Sequence, residues 1–318
     1  MFSIQVNTIS EGFNAKEDTQ RDYGNPQLLS YLKWYIPQTI SNNFDRHRGN
    51  PPPSLLLHRN NIVIVRLTTP NCLNLKLRVL FTNTEQFYDK LIRNKVYPTT
   101  TIPSLNTFVE LYNRVAKETD EVMVITVSGK LSGVYDSAVR AIEKTEGNCR
   151  IEVIDSQWAV MAQGLIVIAA ARAAKEGASL DEVVDITRKN IPRAEVRMAF
   201  TTLEYLKQGG RIGKAQAFLG PMLKVHSILS MREGEVYPLA RERSRTRAID
   251  YLYDFATSYA RIEEIAVEDA TTPDQANRLV KRLSAKFPDK HIYQSKVSPV
   301  IGAHVGPDVL GVAVLGDK

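Results

Sequence analysis

Two loops carry hydroxyl groups at spacings suited to holding an anion. Pro98-Thr99-Thr100-Thr101-Ile102-Pro103-Ser104 leads into a helical pattern, and Ser128-Gly129-Lys130-Leu131-Ser132-Gly133 links an apolar strand to the next helix. In an α/β sheet such loops lie at the carboxyl ends of strands, where ligands bind. The free N–H groups and positive dipole at a helix start attract negative charge. Gly129 and Gly133 allow the backbone to approach a ligand closely. Ser and Thr also cap helices, and one such loop alone reads as capping. Two in successive units point to a small carboxylate or phosphate site.

Other chemistry is weaker. Gly209-Gly210-Arg211-Ile212-Gly213-Lys214 is like a phosphate loop, but Gln208 stands where its first Gly belongs and Ala215 where Ser or Thr is needed. There is no G-x-S-x-G nucleophile elbow. Of five histidines, none has helical metal-ligand spacing, so no metal site and no cofactor are expected. His304 stands apart in Gly302-Ala303-His304-Val305-Gly306-Pro307, a segment that reads as a tight turn; a structural and a functional role stay equally open for it. Arg241, Arg243, Arg245 and Arg247 alternate with polar residues but lack interleaved aromatics. They read as a solvated strand-to-helix face, not a nucleic-acid edge.

The elements that must position these residues follow from periodicity. Strands are expected at Ile62–Leu67, Glu121–Val127 and Ile151–Ile154, with helices over 85–93, 105–118 capped by Ser104, 133–144 capped by Ser132, and 159–175. Strand and helix alternate over short connections, the pattern of a parallel sheet covered by helices. Beyond it the order is mixed. Ser179-Leu180-Asp181-Glu182 is a capping box, Gly234 turns a hairpin between strands at 224–231 and 236–239, and helices span 245–259 and 273–286, the second capped by Thr272. Strands at 264–267 and 309–315 complete the pattern. Residues 1–60 are rich in Asn, Asp, Gln and Pro, with one helix-like patch at Leu28–Ile36, and read as a poorly patterned extension.

Composition sets the outer bounds. The chain has 318 residues, 43% hydrophobic and 24% charged, enough for a large core in one or two domains. Two cysteines, Cys72 and Cys149, exclude a disulfide scaffold and fit a reducing compartment. A net charge of +6 permits an anionic partner without identifying one. The longest apolar run, Gly164–Ala171, is far short of the roughly 20 residues that span a bilayer. A cytoplasmic protein, not integral to the membrane, is expected.

With these motifs in hand, the sequence resembles the DegV family of bacterial fatty-acid-binding proteins. The motif T-S-x-P-S appears as Thr100-Thr101-Ile102-Pro103-Ser104, and S-x-L-S-G-x-Y-x-S-A as Gly129 to Ala138 preceded by Ser128. Asp155-Ser156, the Gly-Gly-Arg-Ile-Gly-Lys-Ala segment and the closing stretch from Ile301 match in the same order. The resemblance implies an α/β protein of two domains: a parallel three-layer α/β/α domain, set here at 61–165, and a second α/β domain with a mixed sheet at 166–318, like the dihydroxyacetone-kinase fold. It implies a long-chain fatty acid in an apolar tunnel, its carboxylate held by Thr100 and Ser132, with Thr101, Ser128, Gly133, Arg211 and His304 in the supporting polar network. It implies no catalysis by the chain itself, and a separate ATP-dependent fatty acid kinase subunit as partner. The alternative is a small-ketone phosphotransfer component of the dihydroxyacetone-kinase type. The family's opening strand and D-S-T-x-D-like loop are not found in residues 1–60, so that strand is expected to be missing or replaced.

Overall fold

The computed structural model describes residues 84–94, 97–219 and 225–318 in full, and the backbone of three strands before them. Those strands are β1 (Ser3–Gln5), β2 (Ile62–Thr68) and β3 (Leu73–Asn74). The rest of the expected 1–60 extension, its Leu28–Ile36 patch and the residues around Lys224 lie outside the described residues.

The chain continues through α1 (Thr84–Asn94), β4 (Thr99–Thr100), α2 (Leu105–Val115), β5 (Glu121–Thr126), α3 (Val134–Ile142) and β6 (Arg150–Asp155). The first sheet has the order β1-β2-β5-β6. Its β2, β5 and β6 are parallel, and β1 lies antiparallel on the outer edge of β2. Alternate residues of β5 divide the sheet's two faces. Val122 and Val124 pack under α2 and α3 with Phe108, Tyr112 and Ala138. Met123 and Ile125 face the opposite way, into a second core.

That second core is built on α4 (Val160–Lys175) and α5 (Leu180–Asn190). Helix α4 is apolar nearly all round, the signature of a helix buried between layers. Its Ala162, Leu165, Ile166 and Ala170 are fully enclosed. The expected division at 165/166 falls inside this unbroken helix. Helix α5 opens on the expected capping box, with both Ser179 and Glu182 bonds made.

The second sheet comprises β7 (Ala194–Phe200), β8 (His226–Arg232), β9 (Glu235–Glu242), β10 (Arg261–Asp269), β11 (Ile292–Lys296) and β12 (Leu310–Asp317). Its order is β11-β10-β12-β7-β8-β9, with β10 and β11 parallel and the other pairs antiparallel. The protein is therefore a two-part α/β fold with one largely parallel and one mixed sheet. Short α6 (Glu204–Gln208) follows β7, while α7 (Arg245–Thr257) and α8 (Pro273–Lys286) cover the outer face of this sheet. Helix α9 (Pro299–Val305) precedes β12. The inner face packs on α4, so one core with Met123, Leu165, Phe200 and Ala313 joins both sheets.

Four local expectations are corrected. Ser132 does not cap α3: the helix starts one residue later, Gly133 is its N-cap, and no side chain bonds there. Thr272 precedes α8 but makes no side-chain cap; its hydroxyl is turned inward and its N–H donates to Asp269 Oδ2 at 2.8 Å. The segment around His304 is not a tight turn but the last turn of α9, closed by Gly306 at φ 81°. Arg241 lies over the Phe218 ring, and Arg245, far from being solvated, is partly buried against Gln275 Oε1 and the carbonyl of Ala199.

Candidate functional site

Two residues 204 positions apart meet at the centre of the site. Strand β4, paired antiparallel with β3, presents Thr100, and the last turn of α9 presents His304. Thr100 Oγ1 and His304 Nε2 are 2.8 Å apart. Burial, and secondarily the nearby Arg211 charge, lowers the His304 pKa from 6.5 to about 4, so its imidazole is neutral at pH 7. His304 Nδ1 is buried without a hydrogen-bond partner. It sits where a Cβ on Gly209 would come within 2.3 Å. Only a residue without a side chain lets the ring approach so closely. This gives Gly209 a role in place of phosphate binding.

Arg211 follows directly. Its Nε donates to Leu131 O at 3.1 Å and its Nη1 to Gly209 O at 2.7 Å, so the guanidinium ties its own segment to the Ser128–Gly133 loop. Among the described residues it has no carboxylate partner. Ser132 lines the same cavity; its N–H donates to Ser128 O, and among the described residues its hydroxyl has no partner. Thr101 lies on the rim, exposed.

Two expected members of the network do not themselves line the cavity. Ser128 is fully buried behind the loop, where its hydroxyl donates to Gly234 O at 2.7 Å and joins the first unit to the β8–β9 hairpin. Gly133 contributes backbone: a Cβ there would stand 3.1 Å from Ile102 Cδ1. Asp155 sets the shape of the neighbouring loop, its Oδ2 accepting from Gly129 N at 3.1 Å and its Oδ1 from Gln157 N at 2.8 Å.

Thr100, Ser132, Arg211 and His304 gather on one cavity between the sheets, with an empty volume of about 1380 Å³ including its open mouth. Its remaining wall is mainly apolar, drawn from Leu131, Val160, Met161, Met198, Phe200 and Met231. Val160 has φ 53°, a conformation disfavoured for a β-branched residue, at the point where α4 meets the cavity. Buried Glu268, on the same wall, accepts from Met161 N at 3.1 Å and so caps α4 from the other sheet. Val160 and Glu268 escaped the sequence reading, and Gly209, noted there for its motif, gained its role beside His304 only from the fold. Among the described residues no cluster of His, Cys, Asp and Glu could hold a metal, and no helix is long and apolar enough to cross a membrane.

A two-sheet α/β frame enclosing an apolar cavity with hydroxyls and an unpaired cation at one end can receive an amphipathic anion. Comparison with known proteins gives that class a family. A family model described as "Uncharacterised protein, DegV family" matches residues 78–317, and the chain belongs to the DegV family. It is 35% identical over 237 residues to a DegV domain-containing protein of Clostridium perfringens, covering 73% of this chain and 83% of the relative. It is 33% identical to Protein DegV of Bacillus subtilis, over 72% of this chain and 82% of that protein. Among solved structures, the fatty-acid-binding DegV family protein from Thermus thermophilus superposes with a TM-score of 0.67 at 31% identity, covering 73% of this chain and 84% of that one. DegV from Bacillus subtilis, also a fatty acid binding protein, superposes with a TM-score of 0.65 at 30% identity over 73% and 83% of the two chains.

Proposed function

We propose that the protein carries a long-chain fatty acid in the inter-sheet cavity, with its carboxylate between the hydroxyls of Thr100 and Ser132 and beside Arg211. The observation that carries this reading is the Thr100–His304 pair next to a cation without a carboxylate partner, at one end of a mainly apolar cavity. A carboxylate only accepts hydrogen bonds, so the Thr100 hydroxyl must donate to it. His304 then carries its proton on Nε2 and donates to Thr100 Oγ1, leaving the Nδ1 lone pair facing Gly209. The imidazole thus orients the hydroxyl without contributing charge.

Affinity comes from the chain. About 14 methylenes at about 0.8 kcal/mol each set an upper limit near ~11 kcal/mol, from which ordering and association subtract a large part. The polar end fixes orientation. Because Thr101 and Ile102 are exposed at the rim, the acyl head lies near the surface, where a separate ATP-dependent kinase subunit could reach it to form an acyl phosphate. The fatty-acid-binding neighbours support the ligand class. The bond between Thr100 and His304 Nε2, with Nδ1 enclosed by Gly209, favours the carrier over a histidine-bound ketone.

Mass spectrometry of an organic extract of the purified protein tests the reading. A co-purifying long-chain fatty acid at near-stoichiometric amount is expected. A lipid-free extract, together with a protein that binds a small ketone and no added fatty acid, would overturn it.

A further inference from the structure

The carboxylate end is not the cavity's only polar part. The N-cap Ser298 and, on α9, Ile301, His304 and Val305 all line the cavity. Ser298 and His304 stand at opposite ends of that helix, six residues and about 9 Å of helical rise apart. Ser298 is 9% exposed, and its hydroxyl makes no cap bond to α9. Ser295, 8% exposed, also lines the cavity, and among the described residues neither hydroxyl has a hydrogen-bond partner. Ser295 is the register partner of Glu268 on neighbouring parallel strands, so the two side chains share one face. The Glu268 carboxyl, 2% exposed, is held there by Met161 N–H.

We propose that Glu268, Ser295 and Ser298 form a second polar station in the cavity that receives a hydroxyl borne on the acyl chain, so that the preferred ligand is a hydroxylated fatty acid. This rests on the fatty-acid reading above and narrows it. A plain alkyl chain passing this wall would lay methylenes against the Ser295 and Ser298 hydroxyls and deprive them of water, an arrangement that selects against it. A hydroxyl both donates, which suits the carboxyl, and accepts, which suits the serines. A keto group could not donate. Lys296, next in the chain, is already held by Asp269 Oδ2 at 2.6 Å and is not needed for the station. Sites that hydrogen-bond a ligand hydroxyl discriminate strongly against the analogue lacking it, because polar groups of the site, here the Ser295 and Ser298 hydroxyls, are then left unpaired.

The experiment titrates delipidated full-length protein with stearic acid and with monohydroxystearic acids whose hydroxyl is moved along the chain. Stearic acid is expected to bind, and one isomer with the hydroxyl away from the carboxylate is expected to bind at least about tenfold tighter, about 1.4 kcal/mol. In the Ser295→Ala/Ser298→Ala double variant that ratio should fall to about one. If stearic acid binds and no isomer exceeds it, or if the preference survives in the double variant, the station is overturned and the carrier reading stands. If neither stearic acid nor any isomer binds, the carrier reading falls and the station with it.

Discussion

Ser132 is free of the helix-capping duty that its position before α3 suggests, so replacing it isolates its role toward ligand. Ser132→Ala is expected to weaken fatty-acid binding by about 1–3 kcal/mol, the range for losing one hydrogen bond to a charged group. Thr100→Val should act alike, and the double variant should lose less than the sum, since both hydroxyls address one carboxylate. Displacement of a fluorescent fatty acid measures all three; unchanged affinity in both single variants, with the fold intact, would remove these residues from the site. His304 makes a separate, pH-dependent prediction. Its folded pKa of about 4 lies below the unfolded value near 6.5, so in that interval the unfolded chain binds more protons. The contribution from His304 is therefore constant above about pH 6.5 and is lost as pH falls toward 4, with a slope of at most about 1.4 kcal/mol per unit. Denaturant titrations at pH 7 and pH 4.5 should show a smaller loss for His304→Gln than for the parent chain. An equal loss would mean that the imidazole is not held neutral.

At the scale of elements, the sequence announces what is local. The α5 capping box, the Pro273 start of α8 and the β8–β9 hairpin depend on residues within one turn of each other, and each lies where its pattern puts it. Helix α9 and strand β11 were not legible. With seven and five residues they are too short to display a period, and their buried polar residues, Ser295 and His304, interrupt the apolar signal. The site itself was half legible: its hydroxyl loops declare themselves, but the Thr100–His304 meeting spans 204 positions, and only the tertiary fold brings it about. Ser128 illustrates the limit. Its motif membership suggested a place in the polar network around the ligand; the fold has its hydroxyl tie two elements together. That tie supports a prediction for the hairpin. Glu233 and Gly234 both have positive φ, 51° and 82°, and a Cβ on Gly234 would lie 2.7 Å from Ser128 Oγ. Gly234→Ala adds backbone strain of order ~1–2 kcal/mol and displaces the serine, so a loss of at least about 2 kcal/mol is expected. Thermal melts should register it as several degrees, and Ser128→Ala should lower the stability less.

Across the whole molecule, the two sheets are not independent bodies. Helix α4 runs unbroken between them, capped at its start by Glu268 from β10 and tied farther along by the Arg172–Glu264 ion pair to the same strand. Tyr88 of α1 donates to Val297 O at 2.9 Å, and Arg211 reaches Leu131 O across the same divide. Above all, one continuous core contains Met123 and Ile125 from the first sheet with Met198, Phe200 and Ala313 from the second. Unfolding either sheet alone would expose its half of that core and strip α4 of one face. At about 25 cal/mol per Å² of apolar surface, exposing even a few such side chains costs several kcal/mol, a large fraction of a typical total stability of about 5–15. The described units should therefore melt in one transition, not two. Calorimetry should give matching calorimetric and van't Hoff enthalpies, and a saturating fatty acid should raise that single transition as a whole, because the proposed cavity is lined by residues of both units. Two resolved transitions, of which only one moves with ligand, would show that the shared core is not cooperative and that the cavity belongs to one unit alone.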